Sequence, residues 1–497
     1  MAGDEKQITP TEFEIEKLFK SLDEAEIFKY EADTVTNKPL IQMVPQLLGS
    51  CDDNKDLERY FKATSVAIGP LNHQRKPAKG SRIERGEDCK LKLAARLIKS
   101  SERTTEYFYK NVKEEIKSLR SCYNSEKVKE WTDEELAWMF LVDGCALLVF
   151  MILDGNDKWE EFSVDIDVVR IEKVDFFLLE NQLPYKLLKI LTDSLAGALR
   201  VGLRKSFLKE LSNLKELSKK FITNFIKRSF LDPIPHRQHQ IEVDHLESPH
   251  PDEQQQEEED PVHLLDLLQS ILIVKPKEKS EKQKCSSNKE HWFETQRDDK
   301  SKHRPSNCNV KELKAKGIRF KASEKGVPIR DTVFNNFCWV PTLTLAPIFL
   351  HNTTMSLLLN LMAYELCPDY KEGCEITSHL SLLNSLIADG EDVKELRDAG
   401  VLHHRFGSDK DVAELFNKIS YVRVPNLKKD LALRVDINKY CNSEKLHFSG
   451  VRASVEADLT QTYFKSPWSF LVLLAALAGL IMTGMQTYYS FRGNKLH

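Results

Sequence analysis

The 497-residue sequence predicts a mainly α fold: one large helical domain with a small β element, two disordered insertions and a single C-terminal transmembrane helix. Three observations carry that prediction. Apolar residues recur at three- and four-residue steps through most of the chain. Two polar stretches interrupt the pattern with hardly any apolar content. The last apolar run, from Ser466 to Phe491, holds no charged residue in a chain that is 30% charged.

Residues 1–40 read as a helical N-terminal extension: Thr11 and Glu14 have capping-box spacing ahead of Phe13, Ile15, Leu18 and Phe19. The main domain is assigned to 41–465. From about Asp88 the run CKLKLAARLIKSSERTTEYFYKNVKEEIKSL is helical in period. Thr132 and Glu135 form a second capping box, opening WTDEELAWMFLVDGCALLVFMIL, whose apolar second half is expected in the core. DFFLLENQLPYKLLKIL reads as helix, break, helix. Pro184 suits the first turn of the second helix, with Gln182 or Leu183 as its cap. Phe207, Leu211, Leu214, Leu217, Phe221 and Phe225 share one side of an amphipathic helix whose basic face reads as a solvated outer surface.

Residues 232–262 are rich in Pro, Gln and acids, and 275–308 are polar and basic. Both read as disordered insertions, too poor in apolar residues to offset ordering entropy. HLLDLLQSILIV between them is a short apolar helix. GIRFKAS and VFNNFCWVPTLTL have the alternation and β-branched content of short strands. Helices return at MSLLLNLMAYEL, TSHLSLLNSLIA and DVAELFNKIS.

The transmembrane assignment covers 466–491, with 492–497 as a short tail. Trp468 to Tyr489 would span roughly 33 Å as a helix, against a hydrocarbon layer of about 30 Å. Leu471, Leu474 and Ile481 give it an apolar body, and Trp468 and Tyr489 suit the two interfaces. Ala475, Gly479 and Thr483 lie at four-residue steps. That reads first as ordinary small-residue content and second as a face for a weak homodimer. The N-terminus lacks a basic region followed by an apolar run, so it is no signal peptide. A lone C-terminal span then reads as a tail anchor, single-pass, with the large domain in the cytosol. The partners expected are a lipid bilayer and unidentified proteins.

Ten cysteines are scattered without a CxxC pair, and the net charge of −4 leaves no global nucleic-acid footprint. No phosphate-binding, metalloprotease or nucleophile-elbow motif occurs, and no cofactor or metal is expected. The nearest polar constellation is Asp175, Glu180, Asn181 and Gln182. As a carboxylate pair, Asp175 and Glu180 would support a membrane-associated enzyme. As bracing at a helix break, they would satisfy orphan backbone groups, and this reading is preferred. His403-His404 could ligate a metal only against the geometry of adjacent residues. Asn72-His73 reads as a turn ahead of a ligand contact.

At these residues the sequence resembles the plant family known as domain of unknown function 247. VAIGPLNH (Val66–His73) is similar to that family's VSIGPYHHG block, and LVDGCALL (Leu141–Leu148) to its MLDGCFI helix. DFFLLENQLPY (Asp175–Tyr185) is close to its DLLLLENQIPF signature. HLLDLL, VKELKAKGIRFK, NLMAYE and TSHLSLLNSLI follow in order, and the tail resembles its terminal membrane segment. Gln74 departs from the pattern, standing where the family has a second His, and QMVP stands for YRVP. The resemblance implies a plant single-pass membrane protein without established catalysis, some relatives being associated with self-incompatibility. Gly69, Pro70, Asp143, Gly144, Asp175, Glu180, Asn181, Gln182 and Pro184 are its structural signature here.

Overall fold

The computed structural model describes residues 41–49, 55–73, 77–101, 103–156, 172–195, 213–231, 260–273, 309–323, 332–336, 341–368, 370, 373–419, 428–442, 475–476 and 478–488. The expectations for 1–40, 232–259 and 275–308, and for Trp468, Leu471, Leu474 and Tyr489, lie outside the described residues.

Helices α1 (Arg82–Ser100) and α2 (Thr105–Glu114) begin at hydroxyl caps: Ser81 accepts from the Glu84 N–H, and Thr104 from the Tyr107 N–H. Helix α3 (Asp133–Asn156) begins at the expected capping box. The Thr132 N–H donates to Glu135 at 2.9 Å, and the Glu135 N–H to the Thr132 hydroxyl at 3.2 Å. Every residue of α3 from Met139 to Asp154 is buried. Among the described helices it alone is long and apolar enough to cross a membrane, but neighbours cover it, which makes it the central core helix.

Around α3 pack α1, α2, α4 (Tyr185–Leu195) and α5 (Leu214–Ile226). The α4 contact depends on Gly144: a Cβ there would stand 2.4 Å from a Leu191 methyl. In α5 the residues Leu214, Leu217, Phe221 and Phe225 are all buried, as their spacing required. Helix α6 (Leu264–Ile273) joins the same core.

The β element follows. Strands β1 (Arg319–Ala322), β2 (Val333–Asn335) and β3 (Thr342–Leu345) form a sheet with β3 central, parallel to β1 and antiparallel to β2. All three fall in the segments predicted as strands. A second, parallel pair of β4 (Ile348–Leu350) with β5 (Leu402–His404) was not foreseen. Three-residue strands show too little alternation to detect, and this pairing is far from local. Helices α7 (Asn352–Glu365), α8 (Glu375–Leu386), α9 (Gly390–Asp398), α10 (Asp409–Ile419) and α11 (Lys428–Cys441) complete the body. Residues 475–476 and 478–488, including Gly479 and Ile481, are helical and exposed.

Candidate functional site

The 3-10 turn Lys173–Phe177 holds Asp175 fully buried. Its carboxylate sits in a nest of backbone donors. The N–H groups of Thr64 (3.1 Å), Ser65 (2.7 Å) and Val66 (3.0 Å) all donate to it. The Ser65 hydroxyl donates at 2.6 Å while accepting from the Glu172 N–H at 2.9 Å, which fixes the direction of its proton. Burial raises the Asp175 pKa above the usual carboxylate range, and the bonds from Ser65, Val66 and Thr64 oppose that rise.

The next residues of the segment are gripped in the same way. Asn181 Oδ1 accepts from the Ile68 N–H at 2.7 Å, and its amide donates to the carbonyls of Val66 and Asp175. Asp143 Oδ2 accepts from the Gly69 N–H at 2.9 Å. Asp143 Oδ1 accepts from Lys90 at 2.7 Å, and Lys90 also donates to the Ala67 carbonyl and pairs with Glu87. Burial alone would depress the Lys90 pKa, but the Asp143 and Glu87 charges outweigh it, so the ammonium is held above its usual value. Gly69 has φ +68°, and a Cβ there would lie 2.7 Å from the Gln182 carbonyl, so both backbone and space demand glycine. Pro70 is buried in the helical turn Gly69–Asn72.

The other half of the signature reaches in different directions. The Gln182 amide donates to the carbonyls of Phe176 and Leu178, and its oxygen accepts from Leu265 N–H at the start of α6. Glu180 accepts from the Val44 N–H at 2.8 Å; burial raises its pKa against that bond and the Lys127 and Lys62 charges. Asn360 of α7 accepts from the Leu179 N–H and donates to the Tyr60 carbonyl. Asp175 and Glu180 thus serve separate segments. Pro184 stands one place earlier than expected: α4 begins at Tyr185, and the Pro184 carbonyl accepts from the Leu187 N–H. A residue without an N–H loses nothing in that position.

Asp175, Asn181, Asp143 and Gly69 are thereby brought together, whereas Glu180, Gln182, Pro184 and Gly144 brace the surroundings. Sequence reasoning missed Lys90, Asn360 and Glu365. Lys90 had a signal, since it shares the apolar stripe of Gly86, Leu93 and Leu97. Glu365 accepts from the Ile376 and Thr377 N–H groups at the start of α8. His404 lies on β5 with Nε2 2.7 Å from Asp409, whose carboxylate also holds Arg397; adjacent His403 alternates to the opposite face. His73 meets Trp131 edge-on at 5.3 Å beside the turn.

Chemically, Asp175 is an internal acceptor for main-chain donors. The Ser65 and Val66 N–H groups and the Ser65 hydroxyl converge on Oδ2, and the Thr64 N–H lies on Oδ1, so the carboxylate is committed to bracing the 64–66 segment. Burial also pushes the Cys89 and Cys145 thiols up to about 11 and about 12, far from thiolate reactivity at neutral pH.

The sequence pattern of DUF247, described as "Plant protein of unknown function", matches residues 41–482. The UPF0481 protein At3g47200 of Arabidopsis thaliana is 27% identical over 448 residues, covering 86% of this chain and 82% of that protein. The putative UPF0481 protein At3g02645 of the same plant is 29% identical over 184 residues, 36% of this chain and 32% of that one. No solved structure matches the chain.

Proposed function

The chain belongs to DUF247, a plant family of unknown function, and from that premise we propose that it is a membrane-anchored interaction protein without catalytic activity. One observation carries the anchor. In the described part of the C-terminal helix, Leu480, Ile481 and Met482 are 71%, 62% and 66% exposed, with Met485 and Tyr488 exposed beside them. Elsewhere in the described residues, large apolar side chains are overwhelmingly buried. A contiguous apolar helix surface open to water costs free energy that a bilayer removes. Its length in sequence, from Trp468 to Tyr489, matches the hydrocarbon layer.

The span is a tail anchor and the body faces the cytosol. Asn352, in the one glycosylation sequon, begins α7, and Thr354 is buried with its hydroxyl donating to the Phe349 carbonyl. That arrangement suits a sequon unused for glycans. The non-catalytic reading is supported by the engagement of Asp175 with the 64–66 backbone and of Glu180 with Val44. Anchoring confines the partner search to a surface and raises effective concentration, which suits recognition.

Alkaline carbonate extraction of membranes carrying the full chain tests the anchor. Retention in the pellet is expected; release into the supernatant refutes it. A glycan-acceptor tag appended after His497 should be modified, and modification at Asn352 instead would reverse the orientation.

A further inference from the structure

The described part of the C-terminal helix has two unlike sides. At roughly 3.6 residues per turn, Ala475, Ala476, Thr483, Gln486 and Thr487 fall within about 80° of Gly479, with Met482 at their edge. The bulky residues Leu480, Ile481, Met485 and Tyr488 lie outside that arc. The polar groups of the small side are not equivalent. The Thr483 hydroxyl donates to the Gly479 carbonyl and the Thr487 hydroxyl to the Thr483 carbonyl, both at 2.8 Å, so the helix satisfies each of them itself. The exposed Gln486 amide makes no bond to any described residue. It carries two donors and an acceptor, and in hydrocarbon no water serves them. Gly479 is equally unused by a single chain. A Cβ there would meet nothing within 4 Å, although glycine is a poor residue for a helix interior.

We infer that the small, polar side of the span packs against the same side of a second copy of this chain, Gln486 bonding to Gln486 across a two-fold axis. The inference rests on the anchored reading above. A second copy is the occupant because an amide is its own complement. A parallel pair related by a two-fold axis sets both amides at one depth, where each donates to the other's oxygen. Gly479, with Ala475 and Ala476 a turn before it, lets the two backbones approach closely, and the bulky residues are left for lipid. No charged residue occurs from Ser466 to Phe491, so nothing in the span repels its twin.

The test uses the full chain, labelled at its N-terminal amine with a donor or an acceptor dye and reconstituted in phosphatidylcholine vesicles. Energy transfer between copies is followed as lipid is added, and it should persist well beyond the level that random proximity gives. Gln486→Leu makes the span more apolar, so it removes the amide and keeps the anchor. It should raise the protein-to-lipid ratio at half-maximal transfer about fivefold, the effect of two interhelical bonds of ordinary strength in a bilayer. Gly479→Leu should abolish transfer, and Ile481→Phe, on the lipid side, should leave it unchanged. Transfer at the random level, with the protein resistant to carbonate, overturns the pairing and leaves the anchor standing. Transfer unchanged by both Gln486→Leu and Gly479→Leu overturns this side as the contact. Release by carbonate overturns the anchor instead.

Discussion

Replacing Asp175 by Asn removes one charge and almost no volume. The amide oxygen would take the Oδ2 position, where the N–H groups of Ser65 and Val66 and the Ser65 hydroxyl converge at 2.6–3.0 Å. The amide nitrogen would then face the Thr64 N–H, donor against donor. Three bonds lose their charge assistance, about 0.5–1 kcal/mol each, and the partly buried Thr64 N–H loses its best acceptor, about 1 kcal/mol. The sum is about 3 kcal/mol. Asp175→Ala strands every donor and should cost about 5 kcal/mol. Thermal unfolding of the full chain in detergent, followed by circular dichroism, reads this directly. At roughly 2 °C per kcal/mol for a large domain, Asp175→Asn should lower the transition by about 6 °C and Asp175→Ala by about 10 °C. An Asn variant that melts within a degree of the parent would refute the reasoning and reopen a chemical role for this carboxylate.

Gly69→Ala forces a side chain into the left-handed region and against the Gln182 carbonyl, and should cost about 3 kcal/mol in the same melting experiment. Lys90→Met leaves buried Asp143 and partly buried Glu87 without their cation and should cost about 3–5 kcal/mol, part of it recovered by adding Asp143→Asn. Burial lowers His263 and His379 to about 4 from 6.5, so the stability they confer is complete above pH 6.5 and is lost as pH falls toward 4. Each should cost about 2 kcal/mol by pH 5, and His379→Leu should flatten the fall in denaturant midpoint between pH 7 and 5.

Helix starts were legible wherever a short-range signal exists. Thr132 and Glu135 form the bonds their spacing announced, and the apolar second half of α3 is the core helix its composition implied. The preference for bracing over catalysis at Asp175 came from position alone, five residues from Glu180 and ahead of a proline. What remained hidden is long-range. Nothing near Asn360 or Glu365 in sequence tells that one receives the Leu179 N–H and the other the first amides of α8. The β4–β5 pairing joins segments separated by three helices, and the burial of Lys90 runs against the usual exposure of lysine. The carboxylate nest was equally invisible, since its donors are main-chain groups that any residue type supplies.

The bond from Leu179 to Asn360 has a consequence for synthesis, because 181 positions separate the two residues. A ribosome adding 5–20 residues each second makes the first residue wait roughly 9–36 s for the second. Throughout that interval the nascent chain already carries the apolar Lys173–Phe177 turn without the α7 helix that packs against it. Cellular chaperones should therefore hold this polypeptide until late in translation, and a message cut short before codon 360 should yield only material for degradation.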